Sequence, residues 1–162
     1  MLAGLAPVIA ADTRLIILGS FPGVASLAAS QYYAHPRNRF WELVGAVIDV
    51  DLRALAYDAR LASLRANRVG VWDVIAEAER EGSLDSAIRN HAPNALIELL
   101  DSLPQLRAVA FNGGTSARLG RRLLAAGGRS LELIDLPSSS PAHTLAFEEK
   151  RVAWSVLASA LD

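Results

Sequence analysis

LIILGSFPG, residues 15–23, is the stretch that decides the fold. Its first four residues are apolar without the alternation of a half-solvated strand, and Gly19, Ser20, Pro22 and Gly23 follow as a turn. A short apolar run of that kind is the pattern of a strand buried on both faces, as in a parallel sheet. Three further runs share it, at residues 69–75, 108–111 and 131–136. The segments between them have helical spacing: Phe40, Leu43, Val44 and Val47, then Leu96, Leu99, Leu100 and Leu103 after a first-turn Pro93, then Leu119, Leu123 and Leu124 before Gly127 and Gly128. A last helix opens on Glu148 and Glu149 and presents Val152, Val156 and Leu157 on one side. Strands alternating with helices predict an α/β fold, a three-layer α/β/α sandwich around a mostly parallel sheet of about four strands. No repeat, low-complexity tract or linker interrupts the chain, so residues 1–162 read as a single domain.

Composition narrows the function classes. The chain is 52% hydrophobic and 20% charged, enough apolar material for a core and too much for a disordered segment. Sixteen Lys and Arg against 17 Asp and Glu give a net charge of −1, which excludes a histone-like polycation, so any nucleic-acid contact rests on local charge. The absence of cysteine removes disulfides, thiolate catalysis and thiolate metal sites. The apolar start MLAGLAPVIAA lacks a basic leader region and is broken by Gly4 and Pro7, so it does not read as a signal peptide. With no run approaching the roughly 20 apolar residues of a membrane span, a soluble, cytoplasmic, monomeric protein with no membrane contact is expected. Lys150 is the sole lysine and reads as compositional bias.

In parallel sheets ligands bind beyond the carboxyl ends of the strands. Three loops at those ends stand out: GSFPG at 19–23 running on to HPRNRFW at 35–41, FNGGTS at 111–116, and LPSSSPAH at 136–143. GSFPG carries no lysine and matches neither the P-loop nor the dinucleotide pattern. Asn38, between Arg37 and Arg39, stands at a helix start, where it either caps the helix or turns its amide to a ligand while an arginine meets phosphate. Phe40 and Trp41 read as core. In QYY at 31–33 a tyrosine offers a stacking surface for a base, and Tyr32 reads as packing within the loop. Asn112 either holds an Asn-Gly turn or reads a lactam edge, one donor beside one acceptor, with its amide. SSSPAH with nearby Asp135 raises a Ser-His-Asp hydrolase, but the G-x-S-x-G elbow is missing. His35, His91 and His143 show no metal-ligand spacing, and His91 reads as a surface residue flanking a helix.

Taken together, IILGSFPG at 16–23, QYYAHPRNRFWELVG at 31–45, FNGGTSA at 111–117 and LPSSSPAH at 136–143 resemble the uracil-DNA glycosylase superfamily, most closely its hypoxanthine-DNA glycosylase branch. The resemblance runs from Leu15 to the last helix and implies the same three-layer fold. It implies a monofunctional enzyme that hydrolyses the N-glycosidic bond of a deaminated base in single- or double-stranded DNA and leaves an abasic site. Hypoxanthine is the expected base. A uracil or mixed uracil/xanthine enzyme, or a non-catalytic DNA-binding module on the same fold, are the alternatives. Many branches carry a water-positioning Asp or Asn in the first motif; here Phe21 stands in that region, and no carboxylate occurs between Asp12 and Glu42. The resemblance therefore implies Asn38 as the main catalytic side chain, with His143 near the leaving base or a phosphate. It places Gly19, Ser20, Phe21, Tyr33 and Asn112 at the base, and Ser138, Ser139, Ser140 and Pro141 at the DNA backbone and minor groove. Arg37 and Arg39 are the expected phosphate contacts; Arg118, Arg121 and Arg122 are further candidates that read rather as a solvated helix face. The chemistry requires no cofactor and no metal.

Overall fold

The structure is a computed structural model that describes residues 1–162. In chain order it contains β1 (Leu2–Ala3), β2 (Leu15–Gly19), α1 (Val24–Ala29), α2 (Phe40–Ile48), α3 (Tyr57–Ala66), β3 (Val69–Asp73), β4 (Ile75–Glu79), β5 (Arg89–Pro93), α4 (Leu96–Asp101), β6 (Ala108–Asn112), α5 (Gly114–Leu124), β7 (Glu132–Leu136) and α6 (Phe147–Trp154). Short 3-10 turns lie at Leu52–Ala54 and Asp85–Ala87, and a longer one at Ser155–Leu161.

The four expected strands form one parallel sheet in the order β3-β2-β6-β7. The two central strands, β2 and β6, are buried along their whole length, which is why their sequences show no alternation. Leu15 and Ile17 of β2, with Ala108 and Ala110 of β6, face a core built with Phe40, Trp41, Leu43, Leu64 and Trp154 of the helical layer α2, α3 and α6 and with Leu157 of the 3-10 turn that follows α6. Ile16, Leu18, Val109 and Phe111 face the opposite core, covered by Leu96 and Leu100 of α4 and by α5. These are the three expected layers. Edge strand β7 leaves Glu132 and Asp135 exposed.

Three expectations are corrected. The run at 69–75 is two strands: the chain bends at Val74, whose N–H donates to Gly19 O (2.8 Å), and enters a second, antiparallel sheet β1-β4-β5. Pro93 and His91 therefore belong to β5, not to a helix or its flank, because β4 supplies a partner strand that local sequence does not reveal. At the C-terminus the buried face carries Lys150, Trp154 and Leu157, whereas Val152 and Val156 are exposed. The helix turns its tryptophan inward, where the ring meets Phe40 edge-on (6.0 Å between centroids) and its indole N–H finds an acceptor in Pro137 O (2.9 Å). No helix is long and apolar enough to cross a membrane.

Candidate active site

The parallel register sets Gly19 beside Asp73 and Asn112 beside Leu136, so all four strands deliver their next residues to one edge. There the three expected loops enclose a cleft of about 490 Å³. A fourth loop, residues 80–88 between β4 and β5, adds a wall that the sequence did not announce. Ser20 Oγ donates to Asp85 Oδ1 (2.6 Å), the Val24 N–H donates to Ser83 Oγ (2.9 Å), and Arg80 donates to Pro22 O.

Asn38 borders the cleft. Its Oδ1 accepts the N–H of Phe40 (3.0 Å), the first residue of α2. A backbone N–H is met only by the amide oxygen, so this bond fixes which way the amide faces and leaves Nδ2 without a protein partner. Asn38 thus makes a local turn bond at the helix start, one residue ahead of the cap position, which is Arg39. Tyr33 sits at φ 52°, and its ring stacks on Phe40 at 3.9 Å with planes 13° apart. Burial raises its hydroxyl pKa, and the buried Asp73 carboxylate adds to the effect. Tyr32 packs within the molecule, its hydroxyl donating to Ala6 O (2.8 Å).

Asn112 is engaged internally. Its Nδ2 donates to Ser139 Oγ (2.9 Å) and to the Tyr33 hydroxyl (3.3 Å), and its Oδ1 accepts the Ser139 N–H (2.9 Å). Both amide donors and an oxygen lone pair are used before any base arrives, so the amide fastens the serine loop. Ser139 is buried, and its carbonyl accepts the Arg39 N–H (3.0 Å), which ties the serine loop to the PRN segment. Gly113 takes φ 96°, and a side chain there would begin 3.2 Å from Ser138 Cβ. Only glycine combines that backbone with that proximity.

The sole lysine has a structural post. Lys150 Nζ donates to the carbonyls of Ser140 (3.2 Å) and His143 (2.8 Å), bracing the turn that carries Pro141 and His143. Burial, then the neighbouring Arg39 charge, lowers its pKa. His143 and His35 border the cleft, and the His143 ring is exposed. Asp135 is exposed and paired with Arg121 (3.0 Å), and Ser139 Oγ receives Asn112, so no Ser-His-Asp relay is assembled. Arg39 is paired with Glu42 (2.7 Å), which also holds Arg53 (2.8 Å), whereas Arg37 is exposed and makes no ion pair.

The largest departure concerns acids. Loop 19–23 carries none, as read from sequence, yet the fold brings two to the same cleft. Asp73, at the end of β3, is 4% exposed, and its Oδ2 is buried without a hydrogen-bond partner. Burial, then the nearby Asp85 carboxylate, pushes its pKa up to about 7, while the Arg80 guanidinium pulls the other way. Phe21 lines the cleft from the same side, packed on Ile75 and Ala78 with the Arg80 guanidinium 5.3 Å from its ring centre.

The profile of the uracil DNA glycosylase superfamily matches residues 6–158. A hypoxanthine DNA glycosylase of Methanosarcina barkeri is 38% identical over 152 residues, covering 94% of each chain. Another, of Methanosarcina acetivorans, is 36% identical over 154 residues, covering 95% of this chain and 96% of its own. The solution NMR structure of a candidate uracil DNA glycosylase from Methanosarcina acetivorans superposes with a TM-score of 0.86 at 36% identity, covering 98% of this chain and 97% of that one.

Proposed function

Because this chain belongs to the uracil DNA glycosylase superfamily, we propose that it releases hypoxanthine from deoxyinosine in DNA by hydrolysing the N-glycosidic bond. That it is a DNA glycosylase follows from the family; the choice of base is our reading. The observation that carries it is the match along almost the whole chain to two relatives that bear the hypoxanthine activity in their names.

A base buried in a duplex is reached only after its nucleotide is extruded, at a cost of a few kcal/mol that is smallest for an unstable pair. The cleft at the sheet edge has room for one base: its volume of about 490 Å³ falls within the usual range of small-molecule sites. The sugar stays attached to the strand, so the glycosidic bond lies towards the mouth, and in our reading the cleft-lining Asn38 meets it there. As the bond breaks, positive charge grows on the sugar and negative charge on the base. In our reading Asn38 serves both ends of that bond. Its oxygen keeps a second lone pair to hold the attacking water, and Nδ2 has two free donors for the departing base or a phosphate. An amide is no general base at pH 7, so rate comes from preorganised hydrogen bonding to developing charge, typically worth about 10²–10³ per donor.

Tyr33, stacked on Phe40, turns its hydroxyl edge to the base, Gly19 to Phe21 shape the pocket, and Asn112 acts by holding Ser139. Ser138 and Ser140, with the Pro141–His143 turn, meet the flipped strand, and His143 is placed to touch a phosphate or the leaving base. Arg37 is the phosphate contact of the PRN segment. The test is a set of oligonucleotides bearing deoxyinosine, deoxyuridine or deoxyxanthosine, cleaved with alkali after incubation. Abasic product from deoxyinosine above the others supports the reading; preference for deoxyuridine refutes it.

A further inference from the structure

Asp73 is the buried polar group that the mechanism above leaves unused. Its Oδ2 is buried with no hydrogen-bonding partner in the protein, a costly arrangement that calls for a ligand to relieve the carboxylate. Its surroundings indicate which ligand. A side chain at Gly19 would begin 2.6 Å from Asp73 Oδ1 and 2.8 Å from the Tyr33 hydroxyl, so these two oxygens converge over the glycine, both on the lining of the cleft. They differ in character. The Tyr33 oxygen already accepts from Asn112, and its own proton remains to be donated. An ionised Asp73 is acceptor-only. The floor of the cleft thus presents an acceptor beside a donor.

The glycosidic nitrogen of an extruded purine stays near the mouth with its sugar, so the far edge of the six-membered ring goes deepest. In hypoxanthine that edge carries N1–H, a donor, beside O6, an acceptor. Resting on the hypoxanthine reading above, we propose that Asp73 is a specificity-determining residue whose carboxylate accepts the N1–H of the extruded base while the Tyr33 hydroxyl donates to O6. Adenine, the parent base, has the reverse order: N1 is an acceptor and the exocyclic group a donor. The ionised carboxylate, which can only accept, repels adenine at N1. The deamination is read as an inversion of hydrogen-bond polarity, and the missing side chain at Gly19 lets the two oxygens stand side by side.

The reading carries a protonation requirement. Only ionised Asp73 is acceptor-only, and its pKa near 7 places the change within the working range. The charged and titratable groups that face it are Asp85 from the 80–88 loop, which raises the pKa, Arg80, which lowers it, and the Tyr32 and Tyr33 hydroxyls, both held protonated by burial. Recognition therefore strengthens as pH rises through about 7.

The experiment measures kcat/KM for deoxyinosine and deoxyadenosine oligonucleotides from pH 5.5 to 8.5 with the wild type, Asp73→Asn and Asp85→Asn. The wild type should gain close to tenfold per pH unit on the acid side and level off above about pH 7. Asp73→Asn, whose amide accepts or donates, should lose that limb and narrow the deoxyinosine-over-deoxyadenosine ratio by at least about tenfold, as expected when a polar reader changes character. Asp85→Asn should move the limb to lower pH with Asp73 intact, which keeps the test valid should the Asp73 variant fold poorly. An unchanged limb and ratio in Asp73→Asn overturns the proposal. So does an immobile limb in Asp85→Asn, or a wild-type rate that falls as pH rises through 7, the mark of a proton donor. If the wild type forms no abasic product from deoxyinosine at any pH, the substrate reading fails and this inference falls with it.

Discussion

Replacing Asp73 with Asn should stabilise the protein, by an amount that depends on pH. Folding moves this carboxyl from an ordinary value of 3.8 to about 7, chiefly through burial. At about 1.4 kcal/mol per tenfold change in proton affinity, that difference is worth about 4 kcal/mol. The folded state holds the proton more tightly than the unfolded chain. The carboxyl's contribution to stability is therefore fully present below about pH 4 and is lost as pH rises to about 7, above which the folded protein carries an unpaired buried charge. Asn keeps the shape and never ionises. Urea unfolding of both proteins from pH 5 to 8.5 reads the difference directly. The gap should open in favour of Asn across the acid range and level off near 4 kcal/mol above about pH 7. Parallel stability curves would refute the reasoning, because they would mean that Asp73 titrates alike in the folded and unfolded chains.

Asn38→Ala should slow single-turnover release of hypoxanthine by about 10²-fold or more with little change in DNA affinity, since the amide acts on developing charge; quenched time courses with saturating enzyme measure this. Lys150→Met removes two charge-assisted hydrogen bonds to the Ser140 and His143 carbonyls and should destabilise the fold by about 2–3 kcal/mol, seen as a lowered Tm and weaker binding of a lesion duplex. Asn112→Ala strands the Ser139 N–H and hydroxyl in a buried site, at a cost of about 2–3 kcal/mol, measurable by urea unfolding. Arg37→Ala should weaken DNA binding evenly across sequences and reduce the dependence of log K on log salt by about 1, read from fluorescence anisotropy titrations at several salt concentrations.

The central sheet was legible because β2 and β6 are buried on both faces and carry unbroken apolar runs. Helix α2 was equally clear, since Phe40, Leu43 and Val44 fall on one buried face. The loops at the strand ends converge because parallel strands all deliver their carboxyl ends to one edge. Asp73 was hidden by the assumption that residues 69–75 form one strand. Placed mid-strand, it reads as an oddity; the bend at Val74 turns it into the floor of the cleft. A signal was available, since an acidic residue within a doubly buried run rarely lies unpaired without a reason. Asp85 and Ser83 carried no such signal, because only the pairing of β4 with β5 brings their loop against residues 20–24. The role of Lys150 was likewise tertiary: its partners are carbonyls, which every residue has, so no pattern marks them.

The base that leaves DNA is the most direct measurement. Incubated in excess with duplexes carrying a single deoxyinosine, deoxyuridine, deoxyxanthosine or deoxyadenosine, the protein is expected to convert the deoxyinosine strand to an alkali-labile abasic product fastest. The deoxyadenosine strand should remain intact. Equal or faster release of uracil, or an untouched deoxyinosine strand, contradicts it.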